Sequence, residues 1–422
     1  MLCSRPATYE SQGCDMPFEL KYGDGGVLEI DLPAASILGD FSSPRGTPLD
    51  DPAAAVAAAV SDPLEFPRLQ DATIPGDRVV LAIDRGVPRM PAVVAGVIHA
   101  LVEGGADPAD IGIVLAVGKD EESEDPAADF TETVRDAITV TRHDAIDRET
   151  LSYLAASRDG KPIYFNRQIG EADVVIPIST LRLDESLGYA GIHSGLFPAF
   201  ADEETQKRFR APSSADWTAH RRRRHEEADE AAWLLGVQFT IQVAPGPGNT
   251  LLHVLAGDAQ AVAKRGQKLC EAAWRFQSNR RASLVVATIE GGREHQTWEN
   301  LGRALFAASQ AVDDGGAIVL CTNLDYKPGP AIQRLTSLRD SDALLHELRR
   351  DRSSDATSAA LLAEVRERVQ VYLLSGLDAE FVEDLGVGCV SGSEEVTRLT
   401  QQHDSCILLG NAHHAVLAAV GE

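Results

Sequence analysis

Asp184 to Phe200 reads DESLGYAGIHSGLFPAF, and it follows an apolar run, Val174-Val175-Ile176-Pro177-Ile178, of the kind a buried parallel strand presents as it leaves the core. Gly188, Gly191 and Gly195, interleaved with Ser186 and Ser194, make a loop whose backbone can approach a ligand closely. His193 and Tyr189 are its ionisable rings. A glycine-rich loop after a strand, opening toward the acidic helical segment Ala201 to Arg210, is a common place for an α/β protein to hold a small anion.

Upstream of this stretch the pattern is strand, helix, strand. Arg78 to Asp84 (RVVLAID) reads as a buried strand ending on an aspartate, and the loop Arg85-Gly86-Val87-Pro88-Arg89-Met90-Pro91 feeds a helix from Ala92 to Gly104. Ile111 to Gly118 is the next strand, with Lys119-Asp120 opening its loop. Such a βαβ unit crosses over right-handedly, and its ligands sit beyond the carboxyl ends of the strands. Asp84, Arg85, Arg89, Lys119 and Asp120 all fall there. Nearer the N-terminus, Phe18 to Leu32 alternates apolar and polar around Gly23-Asp24-Gly25-Gly26, a hairpin signature. Asp50-Asp51-Pro52 starts an alanine-rich helix that runs to Ser61.

With 422 residues the chain exceeds one ordinary core, and two domains are expected, divided as 18–262 and 263–422. A hydrophobic share of 44% beside 24% charged residues is that of a soluble globular protein, and 5% aromatics favours α/β packing over a β-sandwich. The net charge of −25 argues against nucleic acid and anionic membrane as partners, which leaves a small-molecule carboxylate or phosphate. Six cysteines without a CxxC pair suggest reduced thiols in a cytoplasm. Residues 1–16 lack the apolar core of a signal peptide and read as a disordered leader.

The ordered series VVLAID-x-x-x-P, IGIVLAVG, a strand followed by His143-Asp144-Ala145, GKPIYFNR, EADVVIP, and ES-x-x-YAG resembles the nickel-pincer lactate racemase (LarA-like) family. Gln238 to Val243, Ala256-Gly257-Asp258, Thr288 to Gln296 and Asp314 to Ile318 continue the likeness, which covers roughly residues 18 to 420. The resemblance implies two α/β domains with an interdomain cleft. It also implies a nickel pincer nucleotide tethered through a lysine, a histidine on the nickel, histidine acid/bases and an arginine for the substrate carboxylate.

Against the family's pattern this chain has Val87 where the strand-end arginine belongs, with Arg85 and Arg89 on either side, Asp120 at the acid/base histidine position and Leu187 where the family places a histidine ahead of the Ala-Gly of the central loop. Its central loop is shorter and holds no lysine, and the nickel-ligand histidine aligns near Arg210. The tether and the nickel ligands are therefore not found, which leaves the cofactor unknown and assigns no metal ligand. Gln296 matches the family glutamine, and Arg303 stands about where a lysine is expected.

The expected site consists of Lys119, Asp120 and His193 for proton transfer. Asp84, Arg85, Arg89, Gln296, Trp298 and Arg303 would hold the substrate. The expected function is a racemase or epimerase of a 2-hydroxy acid or sugar acid with an altered site; the alternative is a non-catalytic binding protein on the same scaffold. The sequence assigns no oligomeric state. Three further features have bland readings. His220 to His225 reads as a solvated basic helix face paired with the acids that follow, with a phosphate or carboxylate clamp as the alternative. His413-His414 is a surface pair, because adjacent residues diverge on a regular element. His143-Asp144 makes a structural hydrogen bond at a turn. Ser337 to Arg368 is expected to be an outer, charged helical face.

Overall fold

The computed structural model describes residues 17–117, 123–183, 190–210, 217–337 and 341–419. The leader at 1–16 and the candidates Lys119 and Asp120 lie outside them. The chain opens with a hairpin, β1 (Phe18–Tyr22) and β2 (Gly26–Ile30), followed by β3 (Ile37–Phe41), β4 (Val79–Ile83), β5 (Ile111–Leu115) and β6 (Thr139–Arg142). A second hairpin, β7 (Leu151–Ala156) and β8 (Pro162–Asn166), precedes β9 (Val174–Thr180), β10 (Thr240–Pro245) and β11 (Leu251–Gly257). The remaining strands are β12 (Arg275–Ser278), β13 (Ala282–Thr288), β14 (Val312–Cys321), β15 (Gln370–Leu374), β16 (Gly388–Cys389), β17 (Cys406–Leu409) and β18 (Val416–Ala419).

Two six-stranded sheets result. The first has the order β11-β10-β9-β4-β5-β6, parallel except for β11. The second has the order β16-β15-β14-β13-β17-β3 and is parallel throughout.

Strand β4 shows why these runs are almost wholly apolar. Val79, Leu81 and Ile83 point into one core with Val93, Val97 and Leu101 of the helix Met90–Glu103. Val80 and Ala82 point to the opposite face, against Phe197, Phe200 and Ala228. A strand covered on both faces has no solvent side, so alternation disappears. Each buried Leu or Ile contributes about 1.5–3 kcal/mol. The helix Pro52–Ser61 begins as expected, with Asp51 accepting from the Ala54 N–H and proline in the first turn.

The second sheet repeats the arrangement. Val285 and Ala287 of β13 face the helix Trp298–Ser309, while Leu284 and Val286 face Leu20 and Leu28 of the β1–β2 hairpin. Chain from before residue 262 thus enters the second lobe twice, through that hairpin and through β3, which pairs with β17. Within the stretch expected to form an outer face, one helix departs from that expectation. The helix Ala356–Arg366 buries Ala359, Leu362 and Ala363 in the core of the second lobe, because alanine and leucine at helical spacing outweigh the charges flanking them. No helix of the described residues is long and apolar enough to cross a membrane.

Candidate functional site between the two lobes

Both sheets present carboxyl ends to one seam. From the first lobe, β4 delivers Asp84, β9 runs through Thr180 to Arg182, and β10 ends in the turn Gly246 to Thr250. From the second, β13 leads to Glu290 and His295, β14 to Thr322 and Asn323, and β17 to Asn411, His413 and His414. The lobes are clasped by Asn411. Its Oδ1 accepts from the Gly248 N–H at 3.0 Å, and its Nδ2 donates to Glu290 Oε2 at 3.1 Å. Asn411 is 1% exposed and left-handed at φ 49°, a conformation asparagine tolerates better than most residues. Beside it, the Trp274 Nε1–H donates to the Pro245 carbonyl at 2.9 Å. Asn249 accepts from the Arg89 N–H at 2.8 Å and donates to Glu124 at 2.9 Å, tying the loops after β4 and β5 to the same turn.

The clasp makes a specific prediction. Asn411→Ala should lower stability by roughly 2–3 kcal/mol, since one buried and one part-buried hydrogen bond are lost and the left-handed backbone becomes strained. Asn411→Gly, which keeps the backbone free, should recover about 1 kcal/mol of that in urea denaturation.

Inside the seam, Arg182, Arg303, His413 and His414 line a small space whose walls are completed by Leu181, Leu183, Pro245, Cys270 and Trp274. The His413 and His414 ring centroids are 3.9 Å apart, and His295 lies 6.1 Å from His413. Among the described residues Arg182 has no hydrogen bond or ion pair, whereas Arg303 is paired with Glu299 at 2.5 Å and bonded to Asn300 Oδ1 at 3.2 Å. Burial pushes the Asp84 carboxyl upward, opposed first by Arg182 and then by its hydrogen bond to the Arg85 N–H. Burial pushes all three imidazoles below their ordinary range, and the Arg182 charge pushes the same way, while Glu294 opposes the shift of His295. His413 and His414 are driven well down, each also by a neighbouring ring. His295 Nε2, both nitrogens of His413 and His414 Nε2 are buried with no hydrogen-bond partner. Glu294 Oε1 comes within 3.5 Å of His295 Nε2, but without hydrogen-bond geometry.

His413 and His414 are thus a correction to the surface reading. The expectation assumed a regular element, on which neighbouring side chains diverge. Residues 411–414 instead form a turn that the left-handed Asn411 starts, and the two rings tilt together beside Trp274.

The other candidates are dispersed. His193 is buried, with Nε2 3.8 Å from Asp229 Oδ1 and Nδ1 without a partner; its charged neighbours are Asp229 and Asp258, not the seam groups. Arg85 donates through Nε to the Ala116 carbonyl at 2.8 Å. Arg89 is exposed and left-handed at φ 52°. Gln296 is buried and internally consumed. It donates to the Gly291 carbonyl at 2.8 Å and accepts from Thr322 Oγ1 at 2.5 Å and the Asn323 N–H at 2.9 Å, which fixes the turn that carries His295. Trp298 is a core residue whose Nε1–H donates to the Tyr326 carbonyl at 3.2 Å. Asp84 and Arg303 are therefore the sequence candidates that the fold brings to the seam, while Arg182, His295, Asn249 and Asn411 carried no sequence signal. His143 makes its expected structural bond, 2.9 Å to the Ala201 carbonyl. The basic run lies on the helix Trp217–Leu234, where Arg222 pairs with Glu226 one turn on.

The residues present do not fit a lysine-tethered nickel nucleotide. The loop from Gly191 to Phe200 has no lysine. The lysine that follows, Lys207, is half-exposed on the helix Glu203–Arg210 and paired with Glu203 at 2.7 Å. Where a nickel-ligand imidazole is called for, Arg210 offers a guanidinium, which has no lone pair to give a metal and donates to Gln206 at 3.0 Å. Among the described residues no group of three or more His, Cys, Asp or Glu is arranged to hold a metal ion.

Comparison with known proteins agrees with this architecture. Residues 22–215 match the family model described as the lactate racemase N-terminal domain. The structure is similar to the lactate racemase apoprotein from Thermoanaerobacterium thermosaccharolyticum, with a TM-score of 0.77 at 17% identity over 95% of this chain and 99% of that one. A Thermotoga maritima protein is similar with a TM-score of 0.61 at 13% identity, over 89% of this chain and 99% of that one. A comparison with curated protein sequences finds no match.

Proposed function

We propose that this chain, whose residues 22–215 match the lactate racemase N-terminal domain and whose fold is similar to that of a lactate racemase apoprotein, is a divergent member of the lactate racemase-like (LarA-like) family and an isomerase-like enzyme whose interlobe cleft takes a small carboxylic acid. The reaction class is racemisation or epimerisation of a 2-hydroxy acid or sugar acid in an altered site. The observation that carries this reading is the convergence of the strand ends of both lobes on one unpaired guanidinium, Arg182, among imidazoles with open hydrogen-bonding capacity. A carboxylate fits a guanidinium fork, and a hydroxyl fits a neutral imidazole nitrogen. Arg182 holds the acid, His413 and His295 face its hydroxyl, and Gln296 and Asn411 keep the turns bearing those rings in place. No step of this reading passes through a nickel nucleotide.

A net charge of −25 fits small-molecule partners and no nucleic acid or membrane. Unpaired Cys270, Cys321, Cys389 and Cys406 fit work in the cytoplasm. One observation favours a second reading, a non-catalytic carboxylate-binding protein: the side chains that would anchor the family's cofactor are replaced.

The test is incubation with a panel of 2-hydroxy and sugar acids in deuterium oxide, following exchange at carbon 2 and inversion of configuration by NMR and chiral chromatography. The enzyme reading expects exchange in at least one acid that also raises the thermal midpoint. Stabilisation without exchange supports the binding protein, and neither effect with any acid contradicts both readings.

A further inference from the structure

The chain crosses between the lobes at two places that lie side by side. One crossing runs from β3 to the helix Pro52–Ser61, the other from the helix Ala259–Trp274 to β12. Arg45 of the first donates its N–H to the Ala273 carbonyl at 3.1 Å and its Nη1 to the Arg275 carbonyl at 3.0 Å. Crossings at the ends of elements, gathered in one place, let two lobes swing without unfolding either. Away from them, the seam sets His295, His413 and His414 of the second lobe against Arg182 of the first. Both nitrogens of His413, His414 Nε2 and His295 Nε2 are buried without a partner, so a proton taken up there finds no acceptor while the seam is shut. The surrounding groups do not balance the added charge. Arg182 has no ion pair among the described residues, whereas Arg303 is offset by Glu299. Asp84, pushed upward by burial, loses its charge early as pH falls and leaves Arg182 less opposed. Cys270, pushed by burial up to about 12, stays neutral. Glu294 acts on His295 and not on His413 or His414.

We propose that His295, His413 and His414 form an acid gate: protonated below neutral pH, they repel Arg182 across the seam and part the lobes about the paired crossings at Arg45, while each lobe stays folded. The gate goes beyond the catalytic reading and does not depend on what the cleft binds. With the lobes apart the rings meet water and titrate near their ordinary value of about 6.5, so the open form binds protons that the shut form refuses. The shut form is therefore fully favoured above that value and is lost as pH falls below it. Each ring multiplies the opening equilibrium by up to about tenfold for each pH unit crossed in that window. Opening breaks bonds that span the seam, among them Gly248 to Asn411 at 3.0 Å and Thr357 Oγ1 to the Arg210 carbonyl at 3.4 Å, and these are the restraints the gate works against.

The experiment is small-angle X-ray scattering of the full chain at pH 7.5, 6.5 and 5.5, with far-UV circular dichroism on the same samples. Size-exclusion chromatography ahead of the beam separates opening from association near the sequence pI of about 4.8. The expected result is a reversible rise in radius of gyration and maximum dimension between pH 7.5 and 5.5 with the dichroism unchanged. His413→Gln and His414→Gln combined should keep the lobes shut at pH 5.5, because glutamine takes up no proton there. Where that double variant does not fold at pH 7.5, Arg182→Gln carries the test. It removes the fixed charge and should move the opening midpoint down by about one pH unit or more. Dimensions that stay constant across the range overturn the gate. Expansion accompanied by loss of the dichroism signal overturns it too, since the lobes then unfold instead of parting. Expansion of the variants at the same pH as the parent chain assigns opening to other groups and overturns the role of these rings.

Discussion

Gly410→Val lowers the unfolding free energy by roughly 3 kcal/mol or more and releases the N-terminal strand from the second lobe. Gly410 follows β17 directly, and its N–H donates to the Phe41 carbonyl at the end of β3. A Cβ on Gly410 would sit 1.9 Å from the Ser42 carbonyl oxygen and 2.7 Å from its carbon. Those are backbone atoms, so no rotamer change relieves the overlap; β3 must move off β17. With β3 displaced, Phe41 loses its stacking partner Phe276, whose ring centroid is 4.9 Å away. Urea denaturation reads the loss, and proteolysis near residues 37–45 reads its location. Gly112→Ala is the control. Its Cβ meets only Val80 Cγ2, at an ordinary 3.7 Å, and removing a strand glycine should be neutral or stabilising by about 0.5 kcal/mol. Equal losses in the two variants would contradict the steric account.

The second large effect is acid sensitivity. His143, His193, His295, His413 and His414 are all pushed below the ordinary histidine range, with burial the first cause in each case. A group with a depressed folded pKa binds its proton more readily in the unfolded chain. Its stabilisation is therefore complete above the unfolded value near 6.5 and is lost as pH falls toward the folded value. Each such histidine contributes up to about 1.4 kcal/mol for each pH unit crossed in that window. Between pH 7.5 and 5.5 the urea midpoint should fall steeply, and His413→Gln should flatten the fall. The partly exposed His253 and His403 shift the same way and add less. Asp84 has the opposite sign. Its raised carboxyl contributes stability that is present below the unfolded value near 3.8 and lost as pH rises through the folded value, so the curve should bend at its acid end. A midpoint constant from pH 7.5 to 5.5 would mean that these rings are solvated.

Much of the first lobe was legible because its signals are local. The run RVVLAID gave β4 and Asp84, and Asp51-Pro52 gave a helix start, since strand burial and capping are decided within a few residues. Strand β3 was not legible. ILGDF carries glycine and aspartate, poor strand formers, and becomes a strand only because β17, hundreds of residues later, offers it an edge. The site divides along the same line. Asp84 ends a readable strand, whereas Arg182 and His295 sit in loops whose meeting depends on how two lobes face each other. His413 and His414 were visible as residues but misplaced, because their inward direction is set by the backbone of Asn411. Gln296 was recognised, yet its amide is used up by the Gly291 carbonyl, Thr322 and Asn323, a fact about packing that no spacing reveals.

The account holds that a lactate racemase scaffold keeps its interlobe cleft and recognises its acid with its own side chains, without a lysine-tethered nickel nucleotide. The most direct measurement is intact mass and nickel content of the purified full-length chain after incubation with nickel pincer nucleotide and desalting. The account predicts the 45.2 kDa mass of the polypeptide unchanged and no retained nickel. A covalent increase equal to the nucleotide, mapped to a lysine and accompanied by one nickel per chain, would contradict it.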